Sequence, residues 1–92
     1  VRIEFDAAKD ERNFRERGLR FERAAEFDFA NARVGVDSRK VYPETRYVAI
    51  GPLEGRLHVL CFTPVPGGIR VISLRKANSR EVRTHEQASS ND

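Results

Sequence analysis

Between residues 45 and 75 the chain leaves room for little besides three strands in succession. Segments 45–53, 56–63 and 69–75 are rich in β-branched and aromatic residues, which suit a pleated, packed surface. Glu54-Gly55 separates the first two, and Pro64-Val65-Pro66-Gly67-Gly68 separates the second from the third. Turns this short join antiparallel neighbours, because a parallel crossover needs about a dozen residues or more. Pro43 keeps segment 38–44 out of any central strand. The middles of the three strands are apolar on both faces. Val48, Ile50, Val59, Cys61 and Val71 occupy one set of positions, and Leu60, Phe62, Ile72 and Leu74 the alternates. A sheet with one face in water alternates more cleanly, so some cover is expected on both sides.

The flanking segments supply that cover. Segment 1–5 alternates apolar and charged residues, as a short strand does. Asp6 is an N-cap, 7–17 a helix, and Gly18 its left-handed stop. Ala7, Phe14 and Leu19 are the expected apolar contacts of this polar helix, and Lys9 and Asn13, four apart, share a face. A shorter helix over 21–27 turns Phe21, Ala24, Ala25 and Phe27 inward. Segment 33–37, with Val34 and Val36 on one side, is a further strand. Asn78 with Glu81 three residues on is a capping box that opens a last helix over 79–88. The expected fold is α+β: N-terminal helices packed on a four-stranded antiparallel sheet, with a C-terminal helix, in one domain over 1–88. A disordered tail is expected at 89–92.

The 92 residues carry 17 Lys and Arg against 14 Asp and Glu, and the surplus is unevenly placed. Residues 1–28 balance at −1 and residues 29–92 at +4. All but Lys9, Lys40 and Lys76 of the cations are arginine, whose planar fork binds phosphate in a bidentate way. Such a domain suits an anionic polymer or an acidic partner; a salt-laced surface is the other reading. The lone Cys61 lies in an apolar run and reads as a small buried hydrophobe, and no Cys/His spacing suits zinc. No metal or other cofactor is expected. With no signal-peptide pattern and no membrane-length apolar run, a cytoplasmic protein without membrane contact is expected.

The cations recur at strand ends. Arg46 lies at the start of one strand, Arg56 starts the next, and Arg70 and Arg75 lie at the two ends of the third, with Lys76 and Arg80 just beyond. The local pattern leaves open whether they converge. A convergent set would stabilise charge on a phosphate during RNA cleavage, where the 2′-hydroxyl of the RNA is itself the nucleophile. His85, one helical turn beyond Glu81, is the residue type to move a proton near neutral pH; a surface histidine is the alternative. Tyr42 and Tyr47 suit base stacking or packing. A serine or cysteine nucleophile and a glycine-rich phosphate loop are both poorly supported, because Gly67-Gly68 joins two strands.

Taken in order, these motifs resemble the BrnT-type toxins of bacterial type II toxin–antitoxin pairs. The first segment matches at Asp6, Lys9, Asn13, Gly18, Phe21 and Glu22; ETRYVAIG matches at Glu44 and Arg46, and GRLHVLCFT at Gly55 and Arg56. IRVISLRKANSRE matches at Arg70, Ser73, Arg75, Ala77 and Glu81. The resemblance implies a RelE-like fold and a metal-independent endoribonuclease that blocks translation. It also implies a cognate antitoxin, acidic and partly helical, whose DNA-binding domain would carry the pair to operator DNA. Lys9, Arg46 and Arg75 would be catalytic or phosphate-facing, with His85 as proton carrier and Arg56, Lys76 and Arg80 as RNA-binding residues. The family's pattern has tryptophan at Phe5, Lys-His-Gly at Glu16-Arg17-Gly18 and often tyrosine at His85, so this chain offers an imidazole where relatives offer a phenol.

Overall fold

A computed structural model describes residues 2–90. Its centre is a sheet in the order β1-β5-β4-β3-β2. The strands are β1 (Arg2–Glu4), β2 (Arg33–Val36), β3 (Tyr47–Leu53), β4 (Arg56–Val65) and β5 (Gly68–Lys76). The helices are α1 (Ala7–Arg17) and α2 (Ser79–Ser90), and two 3-10 turns, Phe21–Glu26 and Phe29–Asn31, fill the link from α1 to β2. The fold is α+β as expected, but the sheet is five-stranded and mixed rather than four-stranded and antiparallel. The difference is β1, which lies parallel to the start of β5 with Ile3 opposite Ile69. Gly68 makes that approach possible: a Cβ there would come within 1.9 Å of the Arg2 carbonyl oxygen. Helix α2 continues through Ser90, into the tail expected at 89–92, and the remainder of that tail, 91–92, lies outside the described residues.

The turns set the register. Glu54 at φ 51° and Gly55 at φ 77° form a two-residue loop with both φ positive, the hairpin geometry that matches strand twist. Pro66 and Gly67, the latter at φ 76°, join β4 to β5. Proline then glycine with positive φ is the type II pattern. The strand β4 therefore runs on to Val65, past the end expected at 63, with Pro64 opposite Ile69. β3 begins opposite Phe62, so β4 has no neighbour on that side at Pro64, and a proline is tolerated there.

One irregularity decides which side chains face which way. Cys61 pairs with Ser73 but Phe62 pairs with Val71, leaving Ile72 as the extra residue of a β-bulge. Val71 and Leu74, three apart, therefore both join Leu60 and Phe62 in the core. Simple alternation grouped Val71 with Val48, Val59 and Cys61; the bulge moves it to the opposite face. Helix α1 and the first 3-10 turn cover this core face through Leu19, Phe21, Ala24 and Phe27. The other face carries Val48, Ile50, Val59, Cys61, Ser73 and Arg75.

Helix α1 is tied down by hydrogen bonds rather than by apolar side chains. Its buried residues are Asp10 and Asn13, while Ala7 and Phe14 are exposed. Asn13 Nδ2 donates to the carbonyls of Leu19 (2.9 Å) and Leu74 (3.0 Å). Asp10 accepts the Phe21 N–H at 2.7 Å and pairs with Arg20. Phe14 lies outside, under the Arg20 guanidinium, 4.0 Å from its ring centre. Of the three expected apolar contacts only Leu19 is buried, and in the next segment Ala25 points out. Both polar residues sit where the helix has no apolar stripe to offer, so losing either leaves buried groups unpaired. Asn13→Ala should cost about 1–3 kcal/mol in urea unfolding, the usual penalty for stranded buried partners.

Candidate functional site

The open face of the sheet is organised by Asp37, the residue that follows β2. Its side chain is 1% exposed. The backbone N–H of Asp37 donates to the Arg46 carbonyl oxygen at 2.8 Å, which extends the β2–β3 ladder and holds the carboxylate in place. The Arg39 guanidinium donates to both carboxylate oxygens, Nε at 2.9 Å and Nη2 at 2.8 Å, and its backbone N–H adds a third bond at 3.2 Å. An aspartate that accepts from the backbone two residues on closes a tight local turn. The Tyr42 hydroxyl donates from 3.3 Å and the Cys61 thiol lies 4.0 Å away. The bonds from Arg39 hold the Asp37 carboxyl well below the usual carboxylate range, and Asp37 in turn keeps Arg39 firmly protonated. Burial pushes the Cys61 thiol up, helped by the Asp37 charge and opposed by Arg46 and Arg39. That thiol is therefore a poor nucleophile at neutral pH.

Arg75 enters the same face from the end of β5. Its Nη1 and Nη2 donate to Glu81 Oε1 and Oε2, each at 2.8 Å. Glu81 also closes the capping box: Oε1 accepts the Asn78 N–H at 2.9 Å, and Asn78 Oδ1 accepts the Glu81 N–H at 2.8 Å. One carboxylate thus caps α2 and aims the arginine. The bonds from Arg75 lower Glu81 from 4.5 to about 2. Glu81 raises Arg75 in return, while nearby Arg39 acts against it. This end-on fork leaves the Nε–H edge of Arg75 without a protein partner among the described residues, and it is the edge from which a phosphate can be gripped side-on.

Arg39, Asp37, Cys61, Ser73 and Arg75 line one groove of about 320 Å³. A second hollow shares Val36, Asp37 and Ser38 with it and holds Lys40 and Arg46. The Arg46 guanidinium lies over the Tyr42 ring at 4.1 Å, beside Glu44 at 3.7 Å. Arg46 and Arg75 therefore line adjoining hollows that share Asp37, with Arg39 on the Arg75 side. Lys9 is exposed on α1, one turn before Asn13, and lines neither hollow. His85 is half-buried on the α2 stripe of Glu81, its Nδ1 enclosed without a hydrogen-bond partner among the described residues, and it too lines neither. Arg80 is exposed at the start of α2. Arg56 and Lys76 belong to a different groove, with Arg17 and Arg23. Tyr47 stacks on Phe62 as part of the core. Sequence reasoning missed Asp37 and Arg39. Their only local signal is an aspartate closing an alternating strand with an arginine two residues on. Among the described residues no group of three or more His, Cys, Asp and Glu is placed to hold a metal ion, and no helix is long and apolar enough to cross a membrane.

The sheet thus gathers Arg39, Arg46 and Arg75 on its uncovered face, two of them hydrogen-bonded to carboxylates. A profile described as the ribonuclease toxin BrnT of type II toxin–antitoxin systems matches residues 5–81. The chain belongs to that family, a class of ribonuclease toxins whose partner is an antitoxin. No curated protein sequence matches the chain.

The Glu81 bonds give the site an acid limit. A carboxyl lowered from 4.5 to about 2 on folding stabilises the folded state in full above pH 4.5 and loses that contribution as the pH falls through about 2. Helical ellipticity should therefore decline across that window as α2 loosens. Glu81→Gln retains a capping-box residue but carries no titrating charge, so its signal should be flatter there. An unchanged acid slope in Glu81→Gln would contradict the assignment.

Proposed function

We propose that this toxin cuts RNA without a metal ion, in the groove between Arg39, Arg46 and Arg75, and so stops translation in the cytoplasm. The observation that carries this reading is three arginines in adjoining hollows beside one buried aspartate, Arg75 from β5 and Arg39 and Arg46 from the loop between β2 and β3. Arg75 and Arg39 flank the groove and Arg46 adjoins it. A phosphodiester seated there has its non-bridging oxygens among guanidinium donors. The 2′-oxygen of the RNA attacks phosphorus and loses its proton; the P–O5′ bond breaks, and the departing 5′-oxygen gains one. The products are a 2′,3′-cyclic phosphate and a 5′-hydroxyl. The arginines stabilise the extra negative charge at phosphorus. Asp37 is too acidic to take the proton and acts by positioning Arg39. His85, on the α2 stripe that Glu81 anchors, is the proton carrier on this reading and would have to approach the groove once RNA is bound, and Lys9 contributes charge from α1 outside both hollows.

The antitoxin on this reading is acidic and partly helical. It covers the arginine groove and brings the pair to operator DNA through its own DNA-binding domain. A second reading, a non-catalytic partner protein of the same fold, draws on one observation. Glu81 already neutralises Arg75 and no histidine lines the groove.

Incubation of the purified chain with an RNA oligonucleotide in EDTA decides between them. The wild type should cleave. Arg75→Ala and Arg39→Ala should each lose roughly 10²–10³-fold in rate, the usual loss for one preorganised charge donor, assayed at a temperature where urea unfolding shows each variant still folded. Arg75→Lys should not restore activity, because an ammonium lacks the planar fork. Intact RNA with the wild-type chain would leave the partner-protein reading standing.

A further inference from the structure

A second cationic groove lies on the other side of the same sheet end. It is formed where β3 closes, β4 begins and β5 ends, against the last turn of α1. Arg17, Arg56 and Lys76 line it together with Arg23, Glu54 and His58. Arg23 is already paired with Glu54 at 2.9 Å and Glu26 at 3.2 Å. Arg17, Arg56 and Lys76 are exposed, and none makes a side-chain hydrogen bond or ion pair among the described residues. Three unneutralised cations within one hollow repel each other, an arrangement that an incoming anion relieves.

The placement relative to the first groove is fixed by β5. Arg75 and Lys76 are consecutive in that strand, opposite Val59 and His58, so their side chains leave on opposite faces. A polymer whose phosphate sits at Arg75 reaches Arg17, Arg56 and Lys76 only by passing around the end of the sheet. A flexible single strand does this readily, and a stiff duplex does not. The groove also has little for a protein partner to hold. Its apolar residues, Leu19 and Leu53, are 6% and 1% exposed and belong to the core. Protein interfaces draw most of their affinity from accessible apolar or aromatic anchors, and none is offered here.

We propose that this groove is a second phosphate subsite for single-stranded RNA, gripping the backbone a few nucleotides from the phosphate held at Arg75. The proposal deepens the ribonuclease reading and rests on it for the placement of that first phosphate. It assigns Arg17, Arg56 and Lys76 to holding the strand rather than to chemistry, and it makes affinity depend on strand length.

The test is a binding titration with 2′-O-methyl RNA, which has no free 2′-hydroxyl and so reports on grip whether or not the chain cleaves. For the wild type, affinity should rise as the oligonucleotide lengthens from two to eight nucleotides. The triple variant Arg17→Ala/Arg56→Ala/Lys76→Ala should lose that gain. Its slope of log affinity against log salt on the long strand should be shallower by about 2, from three lost contacts at about 0.7 each on single strands. The single charge reversal Arg56→Glu, an exposed change at the start of a strand, should weaken the long strand and repeats the test if the triple variant does not fold. A length gain retained in both variants would overturn the proposal. So would poly-glutamate of matched charge competing as well as RNA, because the groove would then be a face for acidic protein. Failure of the cleavage reading shows separately, as intact unmodified RNA alongside a preserved length gain.

Discussion

The bulge at Ile72 is the constraint on which the site depends. Ile69 and Val71 must face the core at the start of β5, and Leu74 must face it near the end. Unbroken alternation cannot satisfy both, because 71 and 74 differ by an odd number. Continued from Val71, it would have turned Ser73 and Arg75 into the hydrophobic layer, where an arginine without full pairing is costly. The extra residue resets the phase. Leu74 goes in and Arg75 comes out onto the face that Asp37 and Arg39 occupy. Bulges of this kind re-aim side chains near functional sites, and here one places the central cation.

The carboxylates explain how so much like charge is held close together. Each arginine of the open face has an acidic neighbour: Arg39 has Asp37, Arg75 has Glu81 and Arg46 has Glu44. The hydrogen-bonded pairs, Arg39 with Asp37 and Arg75 with Glu81, hold long side chains and orient their forks, which on the proposed reading reduces the ordering cost of binding an anion. They also moderate the repulsion that Arg39 and Arg75 exert on one another. The same economy recurs at α1, where Asp10 and Asn13 do the anchoring that apolar residues do elsewhere. A chain this polar secures its elements by satisfying buried backbone groups.

The sheet end divides the remaining cations in a useful way. The pleat sends Arg75 and Lys76 to opposite faces, so one strand terminus serves two surfaces. The open face gathers Arg39 and Arg46 with Arg75, and the helix-covered face gathers Arg17 and Arg56 with Lys76. On the proposed reading, that separation matches a polymeric ligand with charges at regular intervals.

Much of this was legible in the residues. The three-strand run, the helix between Asp6 and Gly18, and the Asn78–Glu81 capping box are local features. Each is written in turn residues, caps and periodicity acting over a few positions. The order of motifs also carried the family. What the chain could not show was anything set by pairing at a distance. The bulge arises from the register between β4 and β5, and the fifth strand from a parallel match between segments more than sixty residues apart. Asp37 looks like a strand end and Arg39 like a loop residue until β2 docks beside β3 and buries the carboxylate near Cys61 and Tyr42. Lys9 and His85 carry suggestive side chains, yet neither lines the groove. Composition supplied the arginines; only the folded sheet determined which of them meet, because that depends on strand register.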